Sequence, residues 1–296
     1  MRTGDEGMLA GRVAVITGGG QGLGREHALL SARLGARVVV NDLRGAGAVA
    51  DEIVQAGGQA VALDGDVGEM ATGTALVDLA LKTFGALHVV VNNAGFIRDK
   101  MVASMEEQDF DAVIRVHLRG TFSLTRAAAR HWKEETKLGR SAARAIVNTS
   151  SVSGLHGIVG QFNYSAAKAG IAAMTIVAAQ ELGRYGARVN CIAPGARTAP
   201  VLATPAFARL VAAPEDPDAF DHFHPRNVAP LVAYLASERC VFNGQVFGVH
   251  GGFIGMYRGW SCDHVVDRKG CWDPEELAAA LDGFPRSLPT TSSAVG

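Results

Sequence analysis

The sequence of 296 residues lacks the features of several classes of protein. Its net charge is −1, so no basic field indicates binding to nucleic acid or to an acidic membrane. No apolar run reaches the length of a membrane span, and residues 1–12 lack the apolar core of a signal peptide. We therefore expect a cytoplasmic protein that spans no membrane.

Cysteine is also scarce. The four cysteines show no Cys-x-x-Cys spacing, which favours reduced, mostly structural thiols in a cytosolic protein. They are Cys191, Cys240, Cys262 and Cys271. We predict neither a disulfide framework nor a metal site.

Glycine and apolar residues are abundant, with 36 glycines and 48% hydrophobic content. Short apolar runs alternate with helical patterns, which predicts an α/β fold with a parallel sheet and helices on both faces. About seven strands are expected, near residues 12–17, 37–42, 60–63, 88–92, 145–149, 188–192 and 245–249. The interpretation gives one domain over residues 11–255, a flexible N-terminus over residues 1–10, and a C-terminal extension over residues 256–296. The extension contains a helix beginning near Asp273 and a flexible end.

A glycine-rich turn follows the first strand and opens a helix. Gly18, Gly22 and Gly24 allow a close backbone approach, and the helix N-terminus offers free N–H groups to a pyrophosphate. The intervening Gln21 and Leu23 belong to the same predicted loop. An ordinary flexible glycine turn is the alternative, but the flanking strand and helix favour the binding loop.

The second strand ends in Asp42, followed by Leu43. A carboxylate at this position bonds a ribose diol and repels a 2′-phosphate, which favours NAD over NADP. Arg44 is the counter-evidence, since it could reach a phosphate. After the third strand, Asp66 and Val67 are placed to meet an adenine.

Small residues follow the fourth and sixth strands, where a dinucleotide would cross the sheet edge. Asn93, Ala94 and Gly95 come after the fourth strand, and Pro194 and Gly195 come after the sixth. Thr198 could then reach a nicotinamide carboxamide.

Three polar side chains are expected to converge after the fifth strand. Tyr164 and Lys168 lie four residues apart on a predicted helix, and Ser151 precedes them across a glycine-punctuated loop. A cation about 4 Å from a phenolate is worth about 4 kcal/mol at an effective dielectric of roughly 20, which could bring a tyrosine pKa near neutrality. A core tyrosine beside a lysine is the alternative. Ser153, His156 and Gln161 are assigned to the substrate pocket.

Longer segments suggest further features. Residues 105–131 are predicted to be helical, with a basic end that is either a solvated face or a docking patch for a phosphorylated substrate carrier. The helix over residues 164–182 is apolar on most faces, which favours packing against another subunit. Residues 199–225 show no periodicity and are interpreted as a mobile lid.

Together these motifs resemble the short-chain dehydrogenase/reductase family over residues 11–252. The residues that carry the resemblance are Thr17-Gly18-x-x-x-Gly22-x-Gly24, Asp66-Val67, Asn92-Asn93-Ala94-Gly95, Ser151, Tyr164-x-x-x-Lys168 and Pro194-Gly195. The resemblance implies a Rossmann-like doubly wound fold, a nicotinamide cofactor and a homodimer or homotetramer. It also implies that Tyr164 is the general acid/base, that Ser151 binds the substrate oxygen, and that Lys168 holds the ribose and lowers the tyrosine pKa.

Two departures from the family pattern stand out. His117 occupies the position of the family's fourth catalytic residue, an asparagine, and it could serve in its place, titrate in the proton relay, or be an ordinary helix histidine. The spacing from Pro194 to Thr198 is one residue shorter than usual.

Short motifs around Asp42 and His117 resemble the (3R)-hydroxyacyl-CoA dehydrogenase part of multifunctional enzyme type 2. Three functions remain open at this point. They are a 3-hydroxyacyl-CoA dehydrogenase, a dehydrogenase of a sterol, terpenoid or other bulky secondary alcohol, and a non-catalytic dinucleotide sensor or scaffold.

Overall fold

The computed structural model describes residues 7–285 except 204 and 217, without the side chains of residues 200 and 205–207. The described part divides into two compact units, one reaching to Met256 and the other beginning at Tyr257. The first unit contains the sheet, and the second contains one helix.

The strands form a single sheet with the order β3-β2-β1-β4-β5-β6-β7-β8. Pairs are parallel up to β7, and β8 pairs with β7 in the antiparallel direction. The strands are β1 (Val13–Thr17), β2 (Arg37–Asp42), β3 (Gln59–Asp64), β4 (Val89–Asn92), β5 (Arg144–Thr149), β6 (Ala187–Pro194), β7 (Val246–His250) and β8 (Phe253–Met256).

Eight strands, rather than about seven, are therefore found in the described residues. The additional β8 follows the tight turn at Gly251, whose φ is +50°. The sequence pattern gave no sign of it because β8 has four residues and three of them are exposed, so it carries no buried apolar run.

Helices lie on both faces of the sheet. The helices of the first unit are α1 (Gly22–Arg33), α2 (Ala46–Gln55), α3 (Met70–Phe84), α4 (Glu107–Ile114), α5 (Gly120–Lys137), α6 (Val152–His156), α7 (Phe162–Leu182), α8 (Ala199–Leu202), α9 (Pro205–Leu210) and α10 (Ala229–Ala236). The helix of the second unit is α11 (Pro274–Leu281). Two hydrophobic clusters fill the layers between helices and sheet. In one cluster the strands pack against α1, α2 and α10, and in the other they pack against α3, α5 and α7. The doubly wound α/β prediction is confirmed.

The long helix predicted over residues 105–131 is interrupted. Between α4 and α5, Arg115–Arg119 form a π-helical turn that contains His117. Single π turns of this kind commonly accompany functional sites. The basic end of this region does not form a uniform patch, because Arg144 is buried and bonded to backbone carbonyls, while Lys137 and Arg140 pair with glutamates.

Two segments interpreted as loose contain short helices or a buried residue. Residues 199–225 contain α8 and α9, which are too short to show a helical period in the sequence. In the segment predicted to be a flexible N-terminus, Leu9 is 1% exposed and belongs to the core, because its apolar side chain packs beneath the first helix layer. Residues 1–6 and 286–296, also predicted to be flexible, lie outside the described residues.

Candidate active site

The strand order changes direction between β1 and β4, and this is where the candidate site begins. In open parallel sheets, ligands bind in the crevice at the carboxyl ends of the strands beside such a switch point. β1, β4 and β5 deliver the glycine loop, Asn93 and Ser151 to this edge. The fold therefore gathers the predicted motifs along one side of the sheet.

The glycine loop is required by close packing. A Cβ on Gly24 would lie 2.0 Å from the Gly18 carbonyl oxygen, and one on Gly18 would lie 2.7 Å from the Ala94 Cα. Gly18 and Gly22 also adopt positive φ values of +63° and +53°. Side chains at Gly18 or Gly24 would obstruct the loop's packing, while α1 begins at Gly22 with its free N–H groups facing the loop.

Asn93 holds this loop in place. Its side-chain amide donates to the carbonyl oxygens of Thr17 and Gly18 at 3.1 and 3.2 Å. The Thr17 hydroxyl oxygen in turn accepts the backbone N–H groups of Asn93 and Ala94. Thr17 was part of the glycine motif in the sequence, but this role of its hydroxyl was not predicted there.

Asp42 lies beside the same loop. Its Oδ2 accepts from the Gly20 N–H at 2.9 Å and its Oδ1 accepts from the Leu43 N–H at 2.7 Å. The backbone thus orients the carboxylate at the end of β2. Leu43 itself is 64% exposed, and the neighbouring Asn41 has a buried Oδ1 without a hydrogen-bond partner.

Asp66 has a partner that the sequence did not reveal. Its Oδ2 lies 2.5 Å from a guanidinium nitrogen of Arg115, and its Oδ1 accepts from the Gly68 N–H. Arg115 also pairs with Glu69. The π turn therefore reaches across to the loop after β3, next to the buried Val67.

On the far side of the crevice, the loop after β6 approaches the glycine turn. The Thr198 methyl carbon is 3.7 Å from the position of a Cβ on Gly22. The Gly195 N–H donates to the Val249 carbonyl at 2.8 Å, which fixes the turn after Pro194. A crevice thus lies among the glycine loop, Asp42, Asn93 and Thr198. Its small residues and the free N–H groups of the helix fit a dinucleotide.

Ser151, Tyr164 and Lys168 are brought together. Tyr164 forms a hydrogen bond with the Ser151 side chain, and the Lys168 Nζ lies 5.5 Å from the centroid of the Tyr164 ring. Lys168 is 3% exposed and its Nζ donates to the Thr149 carbonyl at 2.7 Å. The Thr149 hydroxyl is buried without a partner.

The ionisation of this group differs from the prediction. Burial raises the pKa of Tyr164 to about 12, with the Ser151 hydrogen bond opposing the shift. Burial also lowers the pKa of Lys168 to about 8. The cost of desolvating a phenolate therefore exceeds the stabilisation by the Ser151 hydrogen bond, and Tyr164 is a protonated phenol at neutral pH.

His117 lies against Tyr164, with ring centroids 5.2 Å apart in an edge-on arrangement. Its Nε2 lies 2.7 Å from the Phe96 carbonyl oxygen and 3.1 Å from the Phe96 backbone nitrogen, so it donates to the first or accepts from the second according to the tautomer. Burial lowers the pKa of His117 to about 3. This pKa keeps the ring neutral near pH 7, and its buried Nδ1 has no hydrogen-bond partner.

Gly95 is explained by the same histidine. A Cβ at Gly95 would lie 2.2 Å from the His117 Cε1 atom. The histidine in the π turn therefore requires a glycine after β4. This relationship joins two distant positions and is not visible in the sequence alone.

The three residues assigned to the substrate pocket separate into two kinds. His156 is exposed at the end of α6. Ser153 and Gln161 are 4% and 3% exposed, and the Ser153 hydroxyl donates to the Gln161 Oε1 at 2.7 Å. The Gln161 amide donates to Asp99, a residue that the sequence analysis missed because nothing in its local pattern marks it.

The part of the chain that the structure describes contains no cluster of three or more histidine, cysteine or acidic side chains suited to a metal ion. Within the same residues, no helix has both the length and the apolar character needed to cross a membrane.

Comparison with known proteins places these features in context. The family model described as short chain dehydrogenase matches residues 12–206. A curated relative, the hydroxyacyl-CoA dehydrogenase ChsB1 of Mycobacterium tuberculosis, is 46% identical over 289 residues, which cover 93% of this chain and 89% of the relative.

Longer proteins also match. The peroxisomal multifunctional enzyme type 2 of Mus musculus is 41% identical over 84% of this chain, but the match spans only 33% of that enzyme.

Solved structures agree. A short chain dehydrogenase from Mycobacterium avium matches with a TM-score of 0.84 and 45% identity, covering 93% of this chain and 94% of that one. The full-length peroxisomal multifunctional enzyme type 2 from Drosophila melanogaster has a TM-score of 0.71 and 34% identity, covering 91% of this chain and 44% of that one.

Proposed function

The chain belongs to the short chain dehydrogenase family, and we propose that it is an NAD-dependent dehydrogenase acting on a 3-hydroxyacyl-CoA. It interconverts a secondary alcohol and a ketone. The observation that carries the proposal is the meeting of Ser151, Tyr164 and Lys168 beside the glycine crevice. The likeness to a relative named hydroxyacyl-CoA dehydrogenase, over most of both chains, supports the substrate class.

The chemistry requires a proton and a hydride to leave the substrate. When bound, NAD supplies the hydride acceptor. Tyr164 takes the proton of the alcohol or, in the reverse direction, gives its own to the ketone. Ser151 donates a hydrogen bond to the substrate oxygen as negative charge develops there. Lys168 provides a buried positive charge near the phenol, which favours its ionised form.

NAD rather than NADP is proposed because of Asp42. Its carboxylate is oriented by the Gly20 and Leu43 N–H groups at the edge of the crevice, where a 2′-phosphate would meet its negative charge. We expect Asp42→Ala to reduce the preference for NAD by about tenfold or more, since an unfavourable charge contact is removed. Unchanged discrimination between NAD and NADP would remove Asp42 from this role.

An apolar rim supports a lipid substrate. Met101, Val102, Val159 and Phe162 are more than half exposed, and Ile158 is 37% exposed. They lie on two segments joined by the Lys100–Gly160 backbone hydrogen bond of 2.8 Å, and Phe162 is the first residue of α7. Exposed apolar clusters of this kind commonly mark binding sites. Phe162, the rim residue nearest to Tyr164 in the sequence, precedes it by two residues.

A direct test is an assay of NADH formation over a substrate panel. The panel contains 3-hydroxyacyl-CoA thioesters of increasing chain length, the matching free 3-hydroxy acids, and sterol and terpenoid secondary alcohols. Turnover of the thioesters with much weaker turnover of the free acids is expected. Turnover of the bulky alcohols alone would replace the substrate class, and no NADH from any substrate would favour a sensor or scaffold.

We also propose that the protein forms a homodimer or homotetramer through α5 and α7. Phe122, Ile176 and Val177 are exposed on these helices, and a groove of about 560 Å³ runs between them. Light scattering should show a dimer or tetramer, and Val177→Glu should weaken it because a charge would be buried at the contact. A monomeric wild-type chain at all concentrations would contradict the proposal.

A cytoplasmic location is proposed from the thiols. All four cysteines are free, two of them exposed, which suits a reducing compartment. Fractionation of cells that express the full chain at its natural level tests this proposal.

A further inference from the structure

A line of hydrogen bonds, the middle one buried and the outer two partly buried, runs from the proposed catalytic group to a carboxylate at the protein surface. The Ser151 Oγ lies 3.2 Å from the Ser153 Oγ, and the Ser153 Oγ lies 2.7 Å from the Gln161 Oε1. The Gln161 Nε2 lies 2.9 Å from the Asp99 Oδ2. Tyr164 meets the inner end of this line through Ser151.

Asp99 determines the direction of every bond in the line. A carboxylate can only accept, so it holds the NH₂ group of Gln161 toward itself and turns the Gln161 oxygen toward Ser153. The Ser153 hydroxyl must then donate to Gln161, which leaves the Ser153 oxygen to accept from Ser151. The Ser151 oxygen accepts the Ser153 N–H at 3.2 Å.

The loop that carries Asp99 does not depend on this carboxylate for its position. The Lys100 N–H donates to the Gly160 carbonyl at 2.8 Å, and the Asn163 amide donates to the Arg98 carbonyl at 3.1 Å. The backbone on both sides of Asp99 is therefore anchored by other groups. Changing its side chain should alter hydrogen-bond direction while leaving the fold intact.

The charged groups around Asp99 are already engaged elsewhere. Lys100 and Arg98 approach Asp109 at 2.7 and 3.6 Å. Asp99 thus remains a separate negative charge, and this charge helps to raise the pKa of Tyr164. The other groups that face Tyr164 are the Lys168 ammonium and the neutral His117 ring.

We propose that Asp99 is a positioning residue that, through Gln161 and Ser153, sets the direction of the Ser151 hydroxyl. The proposal rests on the dehydrogenase function above. With Asp99 present, the Ser151 oxygen faces Tyr164, and the Ser151 hydroxyl donates a long hydrogen bond to Ser153. A substrate oxygen can replace Ser153 as the acceptor of that hydrogen bond. Without it, Gln161 is free to turn over, and the whole line can reverse.

The test compares single variants with a compensating pair. Asp99→Ala should lower kcat by about tenfold, as loss of orientation at a reacting group does, with the KM for NAD unchanged. Asp99→Asn can accept or donate and should lower kcat by less. Gln161→Glu should lower kcat, because two carboxylates would face each other. The pair Asp99→Asn with Gln161→Glu restores one donor and one acceptor and should recover most of the lost kcat.

A second readout separates positioning from packing. Ultraviolet titration of Tyr164 in the cofactor-free chain, taken as the difference from Tyr164→Phe, should move to lower pH in Asp99→Asn because a negative charge is removed. The double variant, which retains one carboxylate in the line, should titrate close to the wild type. Asp111→Asn on α4 is the matched control, since Asp111 is exposed and outside the line.

The outcomes are distinguishable. Retained turnover in Tyr164→Phe would overturn the proposed function itself. An inactive Tyr164→Phe together with Asp99 variants that keep the wild-type kcat and titration would overturn only the positioning role. A lowered kcat with no recovery in the double variant and no change in titration would assign Asp99 to packing alone and also overturn the proposal.

Discussion

The two sides of the proposed cleft are built from different kinds of contact. On the cofactor side, the loop over residues 17–24 and Asp42 and Asn93 meet through backbone groups and absent side chains. On the substrate side, residues 96–104 and 157–162 meet through one backbone hydrogen bond and through side chains far apart in sequence, such as Asp99 and Gln161, which are 62 positions apart. The first kind of contact restricts which residue type can stand at each single position. The second kind restricts only which two residue types can stand together at a pair of positions.

The comparison suggests that the cofactor side tolerates few substitutions, while the substrate side can change its specificity. Tyr164 belongs to both, since its hydroxyl bonds Ser151 at the start of the side-chain line and its helix begins at the apolar rim. Substitutions on the cofactor side, on the substrate side and at Tyr164 should therefore differ in the size of their effects and in the kinetic constant that they alter.

The largest effect is expected at the shared residue. Tyr164→Phe removes the proposed general acid/base, and turnover should fall by about 10²–10⁴-fold, the usual contribution of such a group. NAD affinity, measured by fluorescence titration, should stay within a factor of about three because the crevice is untouched. A loss of NAD binding of the same size as the loss of turnover would mean that Tyr164 acts on the cofactor side alone.

On the cofactor side, Gly24→Ala should destabilise the chain by about 1–3 kcal/mol, because its Cβ would lie 2.0 Å from the Gly18 carbonyl oxygen. NAD binding should weaken with it, since the loop must shift. Gly47→Ala is the matched control, as a Cβ there meets nothing within 4 Å on helix α2. Chemical denaturation should show no loss for the control; equal losses would refute the steric argument.

The pH dependence should differ between the two reaction directions. Alcohol oxidation needs Tyr164 as the base, and its pKa of about 12 leaves it protonated at neutral pH, so the rate should rise as the pH rises from 6 to 8. Ketone reduction needs the protonated phenol and a charged Lys168, and should decline above pH 8 as the lysine, with a pKa of about 8, loses its proton. Initial rates in both directions, with NAD or NADH saturating, check this. Oxidation that is fastest at acidic pH would contradict it.

The smallest effect is expected on the substrate side. Phe162, 58% exposed, belongs to the apolar rim, and Phe162→Ser should raise the KM for long-chain 3-hydroxyacyl-CoA by roughly tenfold, the loss of about 1–2 kcal/mol of apolar contact. The KM for short-chain thioesters should hardly change. Equal changes for short and long chains would indicate that the rim does not contact the acyl chain.

The residues of the proposed cofactor side could be picked out from the sequence because their signals are local. A glycine that must approach Gly18, an acid that ends β2 and a Tyr-x-x-x-Lys pair on one helix face each leave a recognisable spacing. The parallel sheet was equally readable, since its strands are buried apolar runs.

The features that were missed depend on three-dimensional neighbours. Asp99 was not recognised because its partner Gln161 lies on another loop. Arg115 was not recognised because its partner Asp66 follows a different strand. The expectation of a near-neutral tyrosine pKa did not include burial, which raises the pKa of Tyr164 and which the Tyr-x-x-x-Lys spacing does not show.

Isotope transfer tests the central claim most directly. A 3-hydroxyacyl-CoA that carries deuterium on its carbinol carbon should give deuterated NADH and the 3-oxoacyl-CoA in equal amounts, and the same mixture with Tyr164→Phe should give almost none. Deuterium retained in the thioester despite prolonged incubation with wild-type chain, or undiminished transfer by Tyr164→Phe, would contradict the account.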